Sequence, residues 1–110
     1  MAKSQNRLKR QLIFTGDDFG LSPAVNAGII QAHRDGCLTC ASLMVGGSAA
    51  REAVALAHAH PGLCLGLHLT LIQGRAVLPP SHLPRLVDRL GNFRNQPVLT
   101  GCLYFFSRAA

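Results

Sequence analysis

The sequence predicts an α/β fold on parallel strands, and three observations carry that prediction. Apolar runs of strand length fall at residues 12–15, 37–45 and 63–71. Segments with helical spacing and helix-ending signals, 23–35 and 49–59, lie between them, so strand and helix alternate. Each strand-like run then leads into glycine or polar residues, and open α/β sheets place their chemistry at the carboxyl ends of strands.

The first run, Leu12-Ile13-Phe14-Thr15, is too short for a helix and suits a buried strand. It leads through Gly16 to two adjacent carboxylates, Asp17 and Asp18, then Phe19 and Gly20. Two charges at the end of a buried strand repel and lose hydration, a cost that a metal cation removes. One carboxylate can then hold the ion while its neighbour remains a base. The competing reading is one turn-capping Asp and one solvated Asp. A kinase-type Asp-Phe-Gly triplet fails on context, because only 17 residues precede Asp18 and no glycine-rich loop or lysine strand lies among them.

Ser22 is placed to cap the first helix with Pro23 at its first position, so the carboxylates are expected in a strand-to-helix loop. Val25, Ile29 and Ala32 give that helix an apolar stripe, Gly28 suggests close approach to a sheet, and Gly36 ends it. The second strand follows. Cys37 and Cys40 have the spacing of a zinc or redox pair, but Cys64 and Cys102 are isolated and the pair straddles the start of a strand. All four are expected to be reduced, small buried residues.

Ser48 is expected to cap the second helix, which Pro61-Gly62 ends. His58 and His60 fall in its last turn and point to different sides, which suits surface or capping roles rather than one shared metal. In residues 63–71, five leucines alternate strictly with Cys64, Gly66, His68 and Thr70. The leucine face is expected to pack under helices, and the other to line a cleft. His68 lies on that second face, so one Asp of the pair and His68 are expected to converge on one sheet edge as ligands for a Zn²⁺-like cation. Beyond it, Pro79 to Pro84 reads as a stiff loop, 86–94 as a hairpin or a flap over the site, and Leu103 to Phe106 as an apolar stretch without a partner.

The chain is 48% apolar and 15% charged, which excludes disorder. Its net charge of +6 is concentrated in Lys3, Arg7, Lys9 and Arg10, without aromatic interleaving, so no nucleic-acid partner is expected. Residues 1–11 read as a basic flexible tail and 12–110 as part of a single catalytic domain. No run reaches membrane-spanning length and no signal-peptide core follows the basic start, so a cytoplasmic location is the expectation.

Thr15 to Ser22, Ser42-Leu43-Met44-Val45, Gly66-Leu67-His68-Leu69 and Val77-Leu78-Pro79-Pro80 together resemble the YdjC-like carbohydrate deacetylases. The proline loop and the 86–94 segment are most similar to the hopanoid-biosynthesis-associated (HpnK) branch. The resemblance implies the N-terminal βαβαβ portion of a (β/α) barrel-like fold. It further implies removal of an acetyl group from an N-acetylated amino sugar, on a lipid headgroup in the hopanoid-linked branch. By the same analogy Asp17 is the general base, and Asp18 and His68 are ligands to Mg²⁺ or Zn²⁺. A homodimer is left open.

Two departures stand out. The family usually has Ala at the position of Gly16, where Gly is expected only to loosen the turn. It also supplies a third metal ligand and a general-acid histidine from a downstream histidine-rich segment. That segment is expected to be missing here, so this chain is expected to be an inactive N-terminal fragment with an incomplete barrel. The alternative is a non-catalytic α/β module that binds a sugar or a cation.

Overall fold

The structure is a computed structural model, and it describes residues 11–106. Residues 1–10 of the expected basic tail lie outside the described residues. Three strands, β1 (Thr15–Phe19), β2 (Cys40–Leu43) and β3 (Cys64–Leu67), form one parallel sheet in the order β1-β2-β3. Two helices connect them, α1 (Pro23–Asp35) and α2 (Ala50–Ala59), giving the expected α/β arrangement as an open sheet. A short 3₁₀ turn, Pro80–His82, and a third helix, α3 (Pro97–Phe106), follow.

Burial on one side of the sheet organises the fold. Phe19, Ile29, Ile30, Ala41, Ala53 and Leu63 form the buried cluster, with Val25, Leu38, Leu43, Leu56 and Ala57 packed against it. In β2, Ala41 and Leu43 alternate with Cys40 and Ser42, so the helices cover the Ala41 side and the polar set stays on the other.

The α1 signals act as read. The Val25 N–H donates to Ser22 Oγ at 3.3 Å, Pro23 opens the helix, and Gly36 closes it. For α2 the cap differs: Ala49 stands at that position without a side-chain bond, while Ser48 Oγ–H donates to the Leu21 carbonyl at 2.8 Å. Ser48 therefore ties the α2 loop to the β1–α1 loop. Gly28 is exposed, with nothing within 4 Å of a Cβ placed there, so it makes no close approach.

Two strand expectations are corrected. Leu12, Ile13 and Phe14 precede β1 and stand 77%, 74% and 47% exposed. Register explains it, since the β1–β2 pairing begins at Thr15 opposite Cys40. The strand therefore carries Asp17 and Asp18 within it, rather than ending before them. Of the leucines of residues 63–71, Leu63 alone is buried, whereas Leu65, Leu67, Leu69 and Leu71 stand exposed, Leu69 at 79%, because the buried cluster reaches the start of this stretch and not beyond it.

The cysteines are also less buried than expected. Cys37, Cys64 and Cys102 are exposed and Cys40 is half-buried. The stretch after β3 folds into a flap. Val87 bridges Phe93, Arg75 bridges Asn92, and Gly91 turns the chain at φ +84°. In α3, Phe105 and Phe106 stack edge to face on the surface, and the Tyr104 hydroxyl donates to the Leu71 carbonyl at 2.9 Å.

Candidate active site

In a regular strand, neighbours face opposite sides, so Asp17 and Asp18 would not share a site. A bulge in β1 changes this. Between the pairs Gly16–Ala41 and Phe19–Leu43, β1 advances three residues while β2 advances two. Asp18 is the residue that takes up the extra length, at a left-handed φ of 64°. Asp tolerates that region better than most residues, yet it stores local strain, and bulges of this kind re-aim side chains beside functional sites.

The outcome is a cluster across the three strands. The Ser42 Oγ–H donates to Asp17 Oδ1 at 2.7 Å. His68 follows directly after β3, held in the ladder by its N–H, which donates to the Leu43 carbonyl at 2.9 Å. Its Nδ1 lies 3.3 Å from the Asp18 backbone nitrogen, 3.2 Å from Ser42 Oγ and 3.6 Å from Asp18 Oδ1. The structure thus brings Asp17, Asp18 and His68 together, with Ser42 between them.

Proton accounting says what this arrangement can do. Ser42 has one hydroxyl hydrogen and Asp17 takes it, so Ser42 cannot also donate to His68. A serine whose proton faces a carboxylate, away from the imidazole, is not set up as a nucleophile–base pair. If the Asp18 N–H donates to Nδ1, that nitrogen carries no proton. That lone pair is then directed at the Asp18 N–H, with Ser42 Oγ and Asp18 Oδ1 close by. A cation bound between Asp18 Oδ1 and Nδ1 would take the place of this long 3.3 Å contact. The imidazole–carboxylate donor set suits Zn²⁺ or a similar ion, and 3.6 Å is a reasonable separation for two ligands of one ion.

The donors present fit two positions of such a centre. Among the described residues no group of three or more His, Cys, Asp or Glu side chains is placed to hold one metal ion together. His82 sits in the 3₁₀ turn, and His33 and His60 pair edge to face at 6.3 Å, with His60 Nδ1 against the Leu56 carbonyl.

Beside His68 a hollow of about 420 Å³ opens, lined by Met44, Gly46, Ser48, His68, Arg75 and Phe93 among others. The flap supplies Phe93, and the β2–α2 loop supplies the glycines. Gly47 is needed there, because a Cβ would collide with the Gly20 carbonyl oxygen and lie 2.7 Å from its carbon.

Two residues that position the site were not singled out in the sequence for that role. Ser42 was legible in principle, since it shares a strand face with Cys40 and β2 lies between the other strands. Asn26 carried no signal. It is fully buried, its Oδ1 accepts the Gly20 N–H at 2.7 Å, and its Nδ2 donates to the Ala49 carbonyl at 3.1 Å and to Glu52 Oε2 at 3.0 Å. It therefore fixes the turn that follows the two carboxylates.

Known proteins resemble this chain in sequence and in fold. The chain is 46% identical over 84 residues to a carbohydrate deacetylase of Brevibacillus brevis, spanning 76% of this chain and 33% of that protein. It is 39% identical over 84 residues to a chitooligosaccharide deacetylase of Serratia marcescens, spanning 76% of this chain and 32% of that protein. The chain thus spans about a third of the length of these curated relatives. The crystal structure of an Enterococcus faecalis V583 protein named for cellobiose-phosphate cleavage superposes with a TM-score of 0.74 at 37% identity. That match covers 81% of this chain and 35% of the other. The YdjC-like protein pattern itself matches residues 11–110, and on that extent of agreement the chain belongs to the YdjC-like family.

Proposed function

We propose that Asp17, Asp18 and His68 are part of the catalytic centre of a metal-dependent carbohydrate deacetylase. The observation that carries this reading is the convergence of the Asp18 carboxylate and His68 Nδ1 at 3.6 Å, with Asp17 beside them. Relatives named as carbohydrate and chitooligosaccharide deacetylases support an N-acetylated sugar as substrate.

In this reading Asp18 and His68 hold Mg²⁺ or Zn²⁺, with a third ligand supplied from outside the described residues. When bound, the ion polarises the amide carbonyl and makes a water more acidic. Asp17 takes the proton from that water, at the oxygen that Ser42 leaves free. Ser42 holds Asp17 in place, and the flap carrying Phe93 with Arg75 borders the sugar-binding hollow. The net reaction converts amide and water to amine and acetate. With two ligands among its described residues, turnover in this reading requires the third.

The finer assignment is a member of the hopanoid-associated branch, acting in the cytoplasm on a lipid-linked amino sugar. The Val77–Pro80 loop and the 86–94 segment support it. No described helix is long and apolar enough to cross a membrane. A second reading, a sugar- or cation-binding module without catalysis, is favoured by the two-donor set itself.

Calorimetric titration with Zn²⁺ and Mg²⁺, run beside an acetate-release assay on N-acetylated chitooligosaccharides, tests both. Asp18→Asn and His68→Ala are expected to weaken ion binding at least ~10-fold, the usual scale for losing a ligand or its support. Asp17→Asn is expected to keep ion binding. Binding that survives both ligand substitutions defeats the metal assignment, and ion binding without acetate release from the full-length protein selects the binding module.

A further inference from the structure

The sheet face that carries Asp17 and Ser42 holds a second pair of reactive groups. Cys40 and Ser42 alternate on β2, and Cys64 precedes Gly66 and His68 with the same spacing on β3. Cys40 and Cys64 are register partners across the β2–β3 ladder, so their side chains leave adjacent strands on the same face. They lie one row behind Ser42, about 7 Å along the strands. Cys64 is exposed and Cys40 half-buried, so small reagents reach them. That register sets the two thiols side by side, and the Cys64 thiol is pushed above its ordinary value of 9.0, first by hydrogen bonding with Cys40 and then by the charge on Cys40.

We infer that Cys40 and Cys64 form a redox modification site, closing to a reversible cross-strand disulfide in the presence of a peroxide. Neighbouring strands lie about 4.8 Å apart, inside the Cα range of natural disulfides. The Cβ atoms must still draw together to about 3.8 Å, which strains the bond and makes it easy to reduce. β3 is an edge strand and can supply that movement.

The chemistry balances in two steps. One sulfur, as thiolate, attacks the peroxide O–O bond, becoming a sulfenic acid while a hydroxide leaves and takes up a proton as water. The second sulfur attacks the sulfenic sulfur and loses its proton, forming S–S and expelling a second water. The two cysteines give up two electrons, and one hydrogen peroxide becomes two waters. A small dithiol reverses the change.

The competitor is Cys37, which has the two-residue spacing from Cys40 but belongs to no strand. The test is to treat the reduced full chain with one equivalent of hydrogen peroxide, count free thiols and map tryptic peptides. The four thiols are expected to fall to two, with peptide 35–51 joined to peptide 52–75 and the mass lowered by two hydrogens. Dithiothreitol restores all four. Cys37→Ser is expected to retain the link, while Cys40→Ser and Cys64→Ser each abolish it. A link confined within peptide 35–51, or sulfinic and sulfonic acids without any link, overturns the inference. Since the readout is covalent and needs no substrate or metal, failure of the deacetylase reading leaves it intact.

Discussion

Asn26→Ala removes a side chain that joins three parts of the fold, and its cost follows from the partners left behind. The Gly20 N–H, paired to Asn26 Oδ1 at 2.7 Å in a buried position, has no replacement acceptor and carries a penalty of about 1–3 kcal/mol. The Ala49 carbonyl loses less, since it also accepts the Ala53 N–H at 3.0 Å, and the exposed Glu52 carboxylate finds water instead. Adding about 1 kcal/mol for the two weaker bonds gives ~2–4 kcal/mol, a large share of the ~5–15 kcal/mol that holds a domain of this size. Urea unfolding followed by far-UV circular dichroism measures it. Asn26→Asp sharpens the test because it keeps the volume and the Gly20 bond. At neutral pH it sets a carboxylate oxygen against the Ala49 carbonyl and the Glu52 carboxylate, so it is expected to be destabilised too. Adding Glu52→Gln to Asn26→Asp is expected to recover part of the loss. A cost below ~1 kcal/mol for Asn26→Ala, or wild-type stability for Asn26→Asp at pH 7, refutes this account.

Further expectations follow from the loops around the site. Gly47→Ala places a methyl group against the Gly20 carbonyl and 3.1 Å from the Leu21 nitrogen, backbone that cannot rotate away. It is expected to cost ~1–3 kcal/mol in the same unfolding assay and to weaken the Ala49 N–H bond to Gly20 O, visible as faster amide exchange at Ala49. The flap is acid-sensitive. The Asp88 carboxyl is held below its ordinary value of 3.8, chiefly by the Asn92 N–H, against an opposing effect of desolvation and with lesser help from the Asn92 side-chain amide and the Leu90 and Gly91 N–H groups. A depressed folded value means that this support is complete above 3.8 and is lost as pH falls through the lower folded value. An NMR titration is expected to place the Asp88 midpoint below 3.8, with Asp88→Asn loosening the 88–92 turn at neutral pH; a midpoint at or above 3.8 contradicts this.

The parts of the fold that local chemistry controls were legible in the chain. Ser22, Pro23 and Gly36 bound α1 because capping depends on neighbours a few residues away. Strand boundaries depend on a partner that no local pattern reveals. Leu12 and Ile13 read as a strand from hydrophobicity, yet pairing starts only at Thr15. The leucines of 63–71 alternate as a core strand should, yet β3 finds no further element on that side among the described residues. α3 was missed because Val98 to Phe106 has no polar face to display a period, although Pro97 offered a helix-start signal. At the candidate site, Asp17, Asp18 and His68 could be picked out as candidates from residue type and order, and the structure sets them near one another. Nothing local announced Asn26, whose three partners lie 6, 23 and 26 residues away.

The extra residue in β1 has a consequence for how this site tolerates change. Two adjacent side chains serve one face only because the strand advances one step further than its neighbour between Gly16 and Phe19. The arrangement is therefore a matter of chain length as much as of residue identity. A single-codon deletion between Gly16 and Phe19 leaves a smooth ladder and necessarily discards one of the two carboxylates. Substitutions there can be graded, whereas a change in length has no intermediate. Lineages that keep this chemistry are then expected to accept varied residues around the pair and to reject every insertion or deletion within it.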